Sequence, residues 1–382
     1  MSHCTLSDER QALRDSVRSF AERHVRPAAA KHDRDESYPA VIRRKAAEQG
    51  FVAPTVPTAF DGPGRDVRDA LLIAEELWRA DPGIGTALIS ADAGTRLIDH
   101  YGTRQQKSRW LPRIAAGEAV SAITITEPDH GTDVASIETT ARRDGDEWVL
   151  DGTKTWVTNG SVADVLVVLA KTNTGAGHAG ISTFLVPSDR PGIETETLAG
   201  TLGLRAADFA AVEFDAVRVP ATNLVGEVDD GFSQLLTFLA AGRATVAAEA
   251  LGAASAVVER VGEQIAAEDC PPSQRSQPSS DACSLDLRSS VAAARSLTYR
   301  AGHALSERPG EARSERLANM AKLYASETAI DVVDRGLELC GPDTGSTGPS
   351  LEKYYRDLRA TTIIEGTSES IRSAIARQLL EG

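Results

Sequence analysis

Apolar positions along the chain follow three successive patterns. Up to about residue 118 they recur every three to four positions, as at Leu13, Val17 and Phe20, which is typical of amphipathic helices. From about 119 to 225 the period becomes two, which is typical of half-buried strands. From residue 231 the helical period returns. The pattern therefore predicts an N-terminal helical domain over 1–118, a middle β-domain over 119–225 and a C-terminal helical bundle over 226–382.

Residues that start and stop helices mark the predicted helices of the two flanking regions. Ser7 precedes the first of them and is a residue type that caps helix N-termini. Two more short helices are predicted at 40–49 and 66–79. The predicted helices of the C-terminal region lie at roughly 231–265, 284–307, 312–339 and 367–380. A proline-rich stretch from Cys270 to Pro278 separates the first two of these and is predicted to be a loop.

The middle region is predicted to be an antiparallel sandwich or barrel. Residues 165–170 and 181–186 are continuous apolar runs, and 212–219 is a further strand-like stretch. A turn is expected at Asp151 and Gly152, between strands at 148–150 and 153–158. Short strands separated by Gly, Asn and Asp are typical of such all-β architectures.

Composition excludes several classes of partner. The 382 residues carry 41 basic and 55 acidic side chains, a net charge of −14, which opposes nucleic-acid binding and a polybasic membrane anchor. No apolar run approaches about 18 residues, and the N-terminus is polar, so neither a membrane span nor a signal peptide is expected. The four cysteines lie far apart without metal-ligand spacing. We expect a cytoplasmic protein without a metal site.

Two stretches of the middle region contain residue types that bind flat or phosphorylated ligands. Residues 124–133 form a strand that ends in a loop rich in hydroxyl groups, with Gly131 and Thr132 near its end. Backbone N–H groups and hydroxyls in such a loop bind heterocycle edges or phosphates, although a plain loop has the same composition. Trp156 lies on a predicted strand between threonines. It is either a stacking surface for a planar cofactor or a core residue of the β-domain.

The C-terminal region contains one acid in an unusual setting. Glu365 follows Ile363 and Ile364 and precedes Gly366 and a predicted helix start. Apolar neighbours would raise its pKa toward that of a general base, whereas a helix N-terminus would lower it. The alternative is an ordinary first-turn acid. A glycine-rich stretch at 341–348 lacks the Lys-Ser or Lys-Thr of a Walker loop and is predicted to be a turn.

Read in order, these stretches resemble the acyl-CoA dehydrogenase family of flavoproteins. The resemblance covers nearly the whole chain. Its principal motifs are Thr126-Glu127-Pro128, the Trp156 strand at 152–160, and Glu365-Gly366-Thr367-Ser368. It implies an α+β multidomain fold with an N-terminal helical domain, a middle antiparallel β-domain and a C-terminal four-helix bundle.

The resemblance implies that FAD lies between the β-domain and the bundle. Thr126 would bind the pyrimidine edge of the flavin, and Gly131 and Thr132 would lie near the pyrophosphate and the thioester tail. Trp156 would pack on the flavin ring and Thr158 would lie near N5. The resemblance also places Thr367, beside the base, among the cofactor-binding residues.

Glu365 matches the catalytic base of the family, which removes the α-proton of an acyl thioester while a hydride leaves the β-carbon for flavin N5. The base's own backbone N–H and a flavin ribityl hydroxyl would polarise the thioester carbonyl. Some members carry the base on the long helix of the bundle instead. Here that position reads Ala241-Gly242-Arg243, without an acid, so the resemblance implies Glu365.

Several residues depart from the family pattern. Asp129 and His130 replace smaller residues in the first loop. The stretch that includes Cys270 stands where the family has an Arg, a Phe-Gly and a Gln that reach the FAD of a neighbouring subunit, and Arg275 is a candidate replacement for that Arg. Glu338 replaces a Gln, and an acid near a diphosphate is unfavourable.

The leading hypothesis is therefore FAD-dependent α,β-dehydrogenation of an acyl thioester, either acyl-CoA or an acyl group on a carrier protein. One alternative is an oxidase or another flavin reaction on the same fold. Another is a flavin-poor binding or assembly protein, which the missing Arg, Phe-Gly and Gln would suit. The resemblance also implies electron-transferring flavoprotein as electron acceptor, and a homodimer or homotetramer.

Overall fold

The computed structural model describes residues 6–266, 279–341 and 349–380. Its first part is helical, and the predicted helices at 40–49 and 66–79 are confirmed. Ser7 caps the first helix, since its Oγ accepts the N–H of Arg10 at 3.4 Å. The helices are α1 (Asp8–Phe20), α2 (Ala29–Asp35), α3 (Ala40–Glu48), α4 (Val67–Ala80), α5 (Pro82–Ile89), α6 (Thr95–Tyr101) and α7 (Arg104–Ala115).

The middle part is one eight-stranded sheet that is rich in antiparallel pairs, as predicted. The strand order is β6-β7-β3-β2-β4-β5-β8, and β1 pairs with β4 in parallel. The apolar run at 165–170 lies in β4, which is buried along almost its whole length. The strands are β1 (Ser121–Thr124), β2 (Thr140–Asp144), β3 (Glu147–Thr158), β4 (Val165–Lys171), β5 (Ile181–Pro187), β6 (Ile193–Thr197), β7 (Phe209–Pro220) and β8 (Leu224–Val225).

The expected turn at Asp151 and Gly152 is wrong, because β3 continues through both residues. The register of β3 against β7 shifts between Leu150 and Gly152. Gly152 has φ +143°, and a Cβ there would lie 2.7 Å from the Cα of Thr139 on the adjoining segment. The glycine therefore permits a bulge and a close backbone approach within a continuous strand, rather than a chain reversal.

Long helices return after the sheet, close to the predicted positions. They are α8 (Gly231–Ala266), α9 (Ser279–Glu307), α10 (Ala312–Cys340) and α12 (Ser368–Leu380). A short helix that the sequence pattern did not predict, α11 (Leu351–Leu358), lies between the last two. The segment Gly231–Gln264 of α8 is long and apolar enough to cross a membrane by length and composition, but 61% of its most apolar window is buried inside the protein. This burial is what a core helix of a bundle shows.

A buried ionic cluster joins the three parts of the chain. Lys353 of α11 lies 2.6 Å from Asp81, which caps α5, and 2.6 Å from Asp357 of α11. Asp357 also accepts the backbone N–H of Leu204, in the segment before β7, at 2.6 Å. Tyr354 donates its hydroxyl to the carbonyl of Arg79 at 2.7 Å. All three charged groups are buried, and the two carboxylates raise the pKa of Lys353 despite its desolvation.

Replacing Lys353 with Met is expected to destabilise the fold by about 3–5 kcal/mol, because it leaves two buried carboxyl groups without a cation. Urea unfolding of the two proteins at neutral pH would measure the loss. Lys31→Met is the matched control, since Lys31 pairs with Asp35 on the surface and its loss is expected to cost under about 1 kcal/mol. Equal unfolding midpoints for K353M and K31M would contradict the structural role of the cluster.

Candidate active site

A bulge in β3 turns Trp156 outward. The register against β7 shifts between Lys154 and Val157, and Trp156 has the left-handed φ of +54°. Its side chain is 58% exposed and lies 6.1 Å from the ring of Phe209. The interpretation of Trp156 as a core residue is therefore wrong. The extra residue of the bulge changes which side chains point inward, which strict alternation does not predict.

The loop after β1 is tied to β3 beside this tryptophan. The carbonyl of Thr126 accepts the N–H of Thr155 at 2.9 Å. Glu127 is buried and accepts from Lys154 Nζ at 2.8 Å and from the backbone of Thr139 at 2.9 Å. Burial lowers the pKa of Lys154 to about 8, and Glu127 opposes that shift. The Glu127–Lys154 pair thus holds Thr126 next to Trp156.

The other predicted residues of this region lie on its open side. Gly131 and Thr132 are exposed in the loop, and a Cβ at Gly131 would lie 4.0 Å from Thr126 Cγ2. Thr158 is half-buried at the end of β3, opposite Phe209. His130 Nε2 lies 3.7 Å from Glu138 Oε1, a contact within the same loop.

Glu365 is held in a strained turn just before α12. It has a left-handed φ of +54° and is followed by Gly366 at φ +99°. Thr367 then caps α12, because its Oγ1 accepts the N–H of Ser370 at 3.2 Å. The Glu365 carboxyl packs against Gly242 of α8, where a Cβ would lie 2.6 Å from Oε2. Glu365 is therefore a carboxyl seated on the long bundle helix, and the interpretation as an ordinary first-turn acid is wrong.

The surroundings of this carboxyl favour its protonated form. Glu365 Oε2 is buried and has no hydrogen-bond partner in the described part of the chain. Burial raises the pKa of Glu365 from its ordinary 4.5 to about 7, although Arg243 and Lys322 lower it. Desolvation thus outweighs the opposite effect of the two nearby cations.

Two cations hold the backbone of the turn. Arg243 donates from Nε to the carbonyl of Glu365 at 3.1 Å and from an η-nitrogen to Asn319 at 2.8 Å. Lys322 of α10 donates to the carbonyl of Gly366 at 2.7 Å, and burial lowers its pKa to about 8. Sequence reasoning assigned neither residue a role. One feature of the sequence could have identified Lys322, namely a lysine between the apolar residues 321 and 323 of a predicted helix.

The two groups of residues are connected through Phe209. It lies beside Trp156 and also packs against the apolar cluster of the bundle that contains Leu358, which leads into the Glu365 turn. Trp156 and Thr158 therefore lie next to a residue that packs against this bundle cluster. Glu338 is exposed on α10, whereas Arg275, its proline-rich stretch and residues 342–348 lie outside the described residues.

Comparisons with known proteins find the same family along nearly the whole chain. Family models of acyl-CoA dehydrogenase match for the N-terminal domain at 7–118, the middle domain at 122–217 and the C-terminal domain at 229–380. The mitochondrial short-chain specific acyl-CoA dehydrogenase of Mus musculus is 34% identical over 380 residues, 98% of this chain and 91% of that protein.

Solved structures show the same fold. Butyryl-CoA dehydrogenase from Megasphaera elsdenii is 28% identical, with a TM-score of 0.91 and coverage of 100% of both chains. A chain in the structure solved for the electron-transferring flavoprotein of Acidaminococcus fermentans is 31% identical, with a TM-score of 0.93 and the same coverage.

Replacing Glu365 with Gln is expected to stabilise the protein at pH 8 by about 2–3 kcal/mol. Between the unfolded pKa near 4.5 and the folded pKa of about 7, the folded protein holds a proton that the unfolded chain has lost. Wild-type stability therefore falls as pH rises through that window, and the non-titrating amide avoids the loss. Urea unfolding at pH 4.5 and pH 8, at equal flavin content, would show the difference growing with pH.

Glu369→Gln is the matched control, since Glu369 is exposed in the first turn of α12 and its pKa is lowered by local hydrogen bonds. This variant is expected to gain no stability at either pH. Equal stability of E365Q and wild type at pH 8 would show that the Glu365 carboxyl is not desolvated.

Proposed function

The chain belongs to the acyl-CoA dehydrogenase family, and from that premise we propose that it oxidises an acyl thioester between its α- and β-carbons with Glu365 as the base. As a member of the family it is an oxidoreductase acting on CH–CH groups. The observation that carries the proposal is the Glu365 carboxyl seated against Gly242, with a buried Oε2 that has no partner in the described part of the chain and a pKa of about 7.

A carboxylate with a raised pKa is suited to removing an α-proton near neutral pH. General-base efficiency is greatest when the pKa of the base lies near the working pH. Arg243 and Lys322 fix the carbonyls of Glu365 and Gly366, so the carboxyl is held on a rigid turn. In the described part of the chain, the Glu365 N–H donates to no protein acceptor, which leaves it as a donor for the thioester carbonyl.

The residues around Trp156 fit FAD, the cofactor of the family. Trp156 presents an exposed aromatic face in a strained backbone, and Thr126 is held beside it by the bond to Thr155. We propose that these residues and Thr158 bind the flavin ring, that Gly131 and Thr132 lie toward its pyrophosphate, and that Thr367 completes the site from the bundle. Bound FAD supplies the hydride acceptor.

Electron-transferring flavoprotein is the proposed electron acceptor, supported by the similarity to a chain in the Acidaminococcus fermentans structure. A homodimer or homotetramer is proposed from the family resemblance alone, and a cytoplasmic location from the widely spaced cysteines. Size-exclusion chromatography with light scattering would measure the oligomeric state directly.

Glu365→Gln is expected to retain FAD and to slow anaerobic bleaching of the flavin by an acyl-CoA at least about 100-fold, because the amide cannot accept the α-proton. Stopped-flow absorbance at the visible flavin bands would measure the rate. Undiminished bleaching by E365Q would remove Glu365 from the role of base.

A carboxylate moved to Gly242 is expected to restore part of the rate, since Gly242 already contacts the Glu365 carboxyl. The rescue variant is E365G combined with G242E. Its control combines E365G with T237E, which places an exposed acid on another side of α8. Equal rates in the two double variants would contradict the assigned position of the base.

Trp156→Ala is expected to weaken FAD binding about tenfold, because the indole face contributes stacking and apolar contact. Trp156→Phe is the matched control and is expected to keep most of the affinity. Fluorescence titration of the flavin-stripped proteins would give both dissociation constants. A wild-type protein that stays colourless in excess FAD would instead support the binding or assembly hypothesis.

A further inference from the structure

Glu249 is a buried carboxyl in the middle of α8 with no protein partner. Its residue is 5% exposed, and within the described ranges neither a hydrogen bond nor an ion pair to it is found. The sequence around it, Ala247-Ala248-Glu249-Ala250-Leu251, is otherwise apolar. Burying a polar group without a partner costs free energy, so this acid weakens a helix that an apolar residue would stabilise.

The position of Glu249 relates it to the Glu365 site. It lies seven residues after Gly242, and seven residues are almost two full helical turns, so both residues share one face of α8 about 10 Å apart. Thr245 and Val246 lie between them on the same face. Because helical side chains lean toward the N-terminus, Glu249 leans back toward the Glu365 carboxyl that rests on Gly242.

The negative charge of Glu365 adds to the free-energy cost of ionising the buried Glu249 carboxyl. Burial and, to a smaller extent, the nearby Glu365 together raise the pKa of Glu249 to about 8. Glu365 is the one charged neighbour that shifts this pKa in the described part of the chain. Two carboxyl groups therefore flank a stretch of one helix face whose intervening residues, Thr245 and Val246, carry no charge. A ligand cation bound there would relieve the cost of burying Glu249.

We propose that Glu249 binds a protonated amine on the acyl chain, so that the substrate class is an amino-substituted acyl thioester. This inference rests on the proposed function, which places the α-carbon at Glu365. The helix geometry puts the amine roughly four to six bonds beyond the α-carbon. A thioester of 6-aminohexanoate, with five bonds between the α-carbon and the nitrogen, is a suitable probe.

If Glu249 pairs with a ligand amine, binding releases a proton, which a purely structural buried carboxyl would not do. Glu249 is largely protonated at pH 7, since its pKa is about 8. A bound ammonium group favours the carboxylate, so Glu249 releases its proton when the ligand binds. Heptanoyl-CoA, whose terminal methyl replaces the ammonium group, gives no such release.

Calorimetric titration of the E365Q holoenzyme would test this inference without turnover, because Glu365 then contributes neither a base nor a proton. In this background we expect 6-aminohexanoyl-CoA to bind at least about tenfold more tightly than heptanoyl-CoA. We also expect it to release more protons, measured in buffers of different ionisation enthalpy. Adding E249Q is expected to abolish both differences while leaving heptanoyl-CoA binding within about twofold.

The matched control is Glu263→Gln, an exposed acid farther along α8, which is expected to keep the preference for the amine. Adding E249L instead is expected to tighten heptanoyl-CoA binding and to raise the melting temperature, which also verifies folding. Equal affinity for the two thioesters, or a preference that survives E249Q, would overturn the inference. So would tight binding of 6-hydroxyhexanoyl-CoA without proton release, because it would assign Glu249 to a neutral donor.

Failure of the proposed dehydrogenase function would give a different result from failure of the amine inference. In that case neither heptanoyl-CoA nor 6-aminohexanoyl-CoA would bleach the flavin of the wild-type holoenzyme anaerobically. Bleaching by heptanoyl-CoA together with a lack of discrimination at Glu249 would keep the dehydrogenase function and reject the amine.

Discussion

The buried contact of Lys353 with Asp81 and Asp357 is the constraint on which the rest of the structure depends. Asp81 comes from the N-terminal helices, and Asp357 holds the backbone of the segment before β7 through Leu204. Lys353 and its two carboxylate partners therefore join all three parts of the chain at a single buried position. The charge of Lys353 is paired with two carboxylates that also accept backbone N–H groups, and such pairing with further hydrogen bonds makes buried charge tolerable.

The catalytic turn depends on this cluster through the chain itself. Helix α11 carries Lys353 and Asp357, and it ends seven residues before Glu365. The turn that follows is then fixed by Arg243 and Lys322 from two other bundle helices. Left-handed backbone at Glu365 and Gly366 is strained, and this framework overcomes that strain. The result is a carboxyl seated against Gly242 rather than in solvent.

The Lys353 cluster and the region of Glu365 and Glu249 differ in whether the buried carboxyl groups are paired directly with a cation. At Lys353 two carboxylates share one cation, which favours stability. At Glu365 and Glu249 the carboxyls are desolvated on one helix face, and the nearby cations bond to backbone carbonyls instead. The second arrangement costs stability and creates groups that titrate near neutral pH, which a base and a recognition group both need.

The sequence by itself determined the architecture, since the change of hydrophobic period from helical to two and back is local and strong. It also determined the family, because Thr126, Trp156 and Glu365 stand in recognisable motifs in the right order. Only the tertiary structure decided that β3 bulges and exposes Trp156, and that Glu365 rests on Gly242 with Arg243 and Lys322 behind it. It also decided that Glu249 faces the same region. These features depend on contacts between residues more than 100 positions apart, such as Arg243 with Glu365 and Gly242 with Glu365, which no local pattern of hydrophobicity encodes.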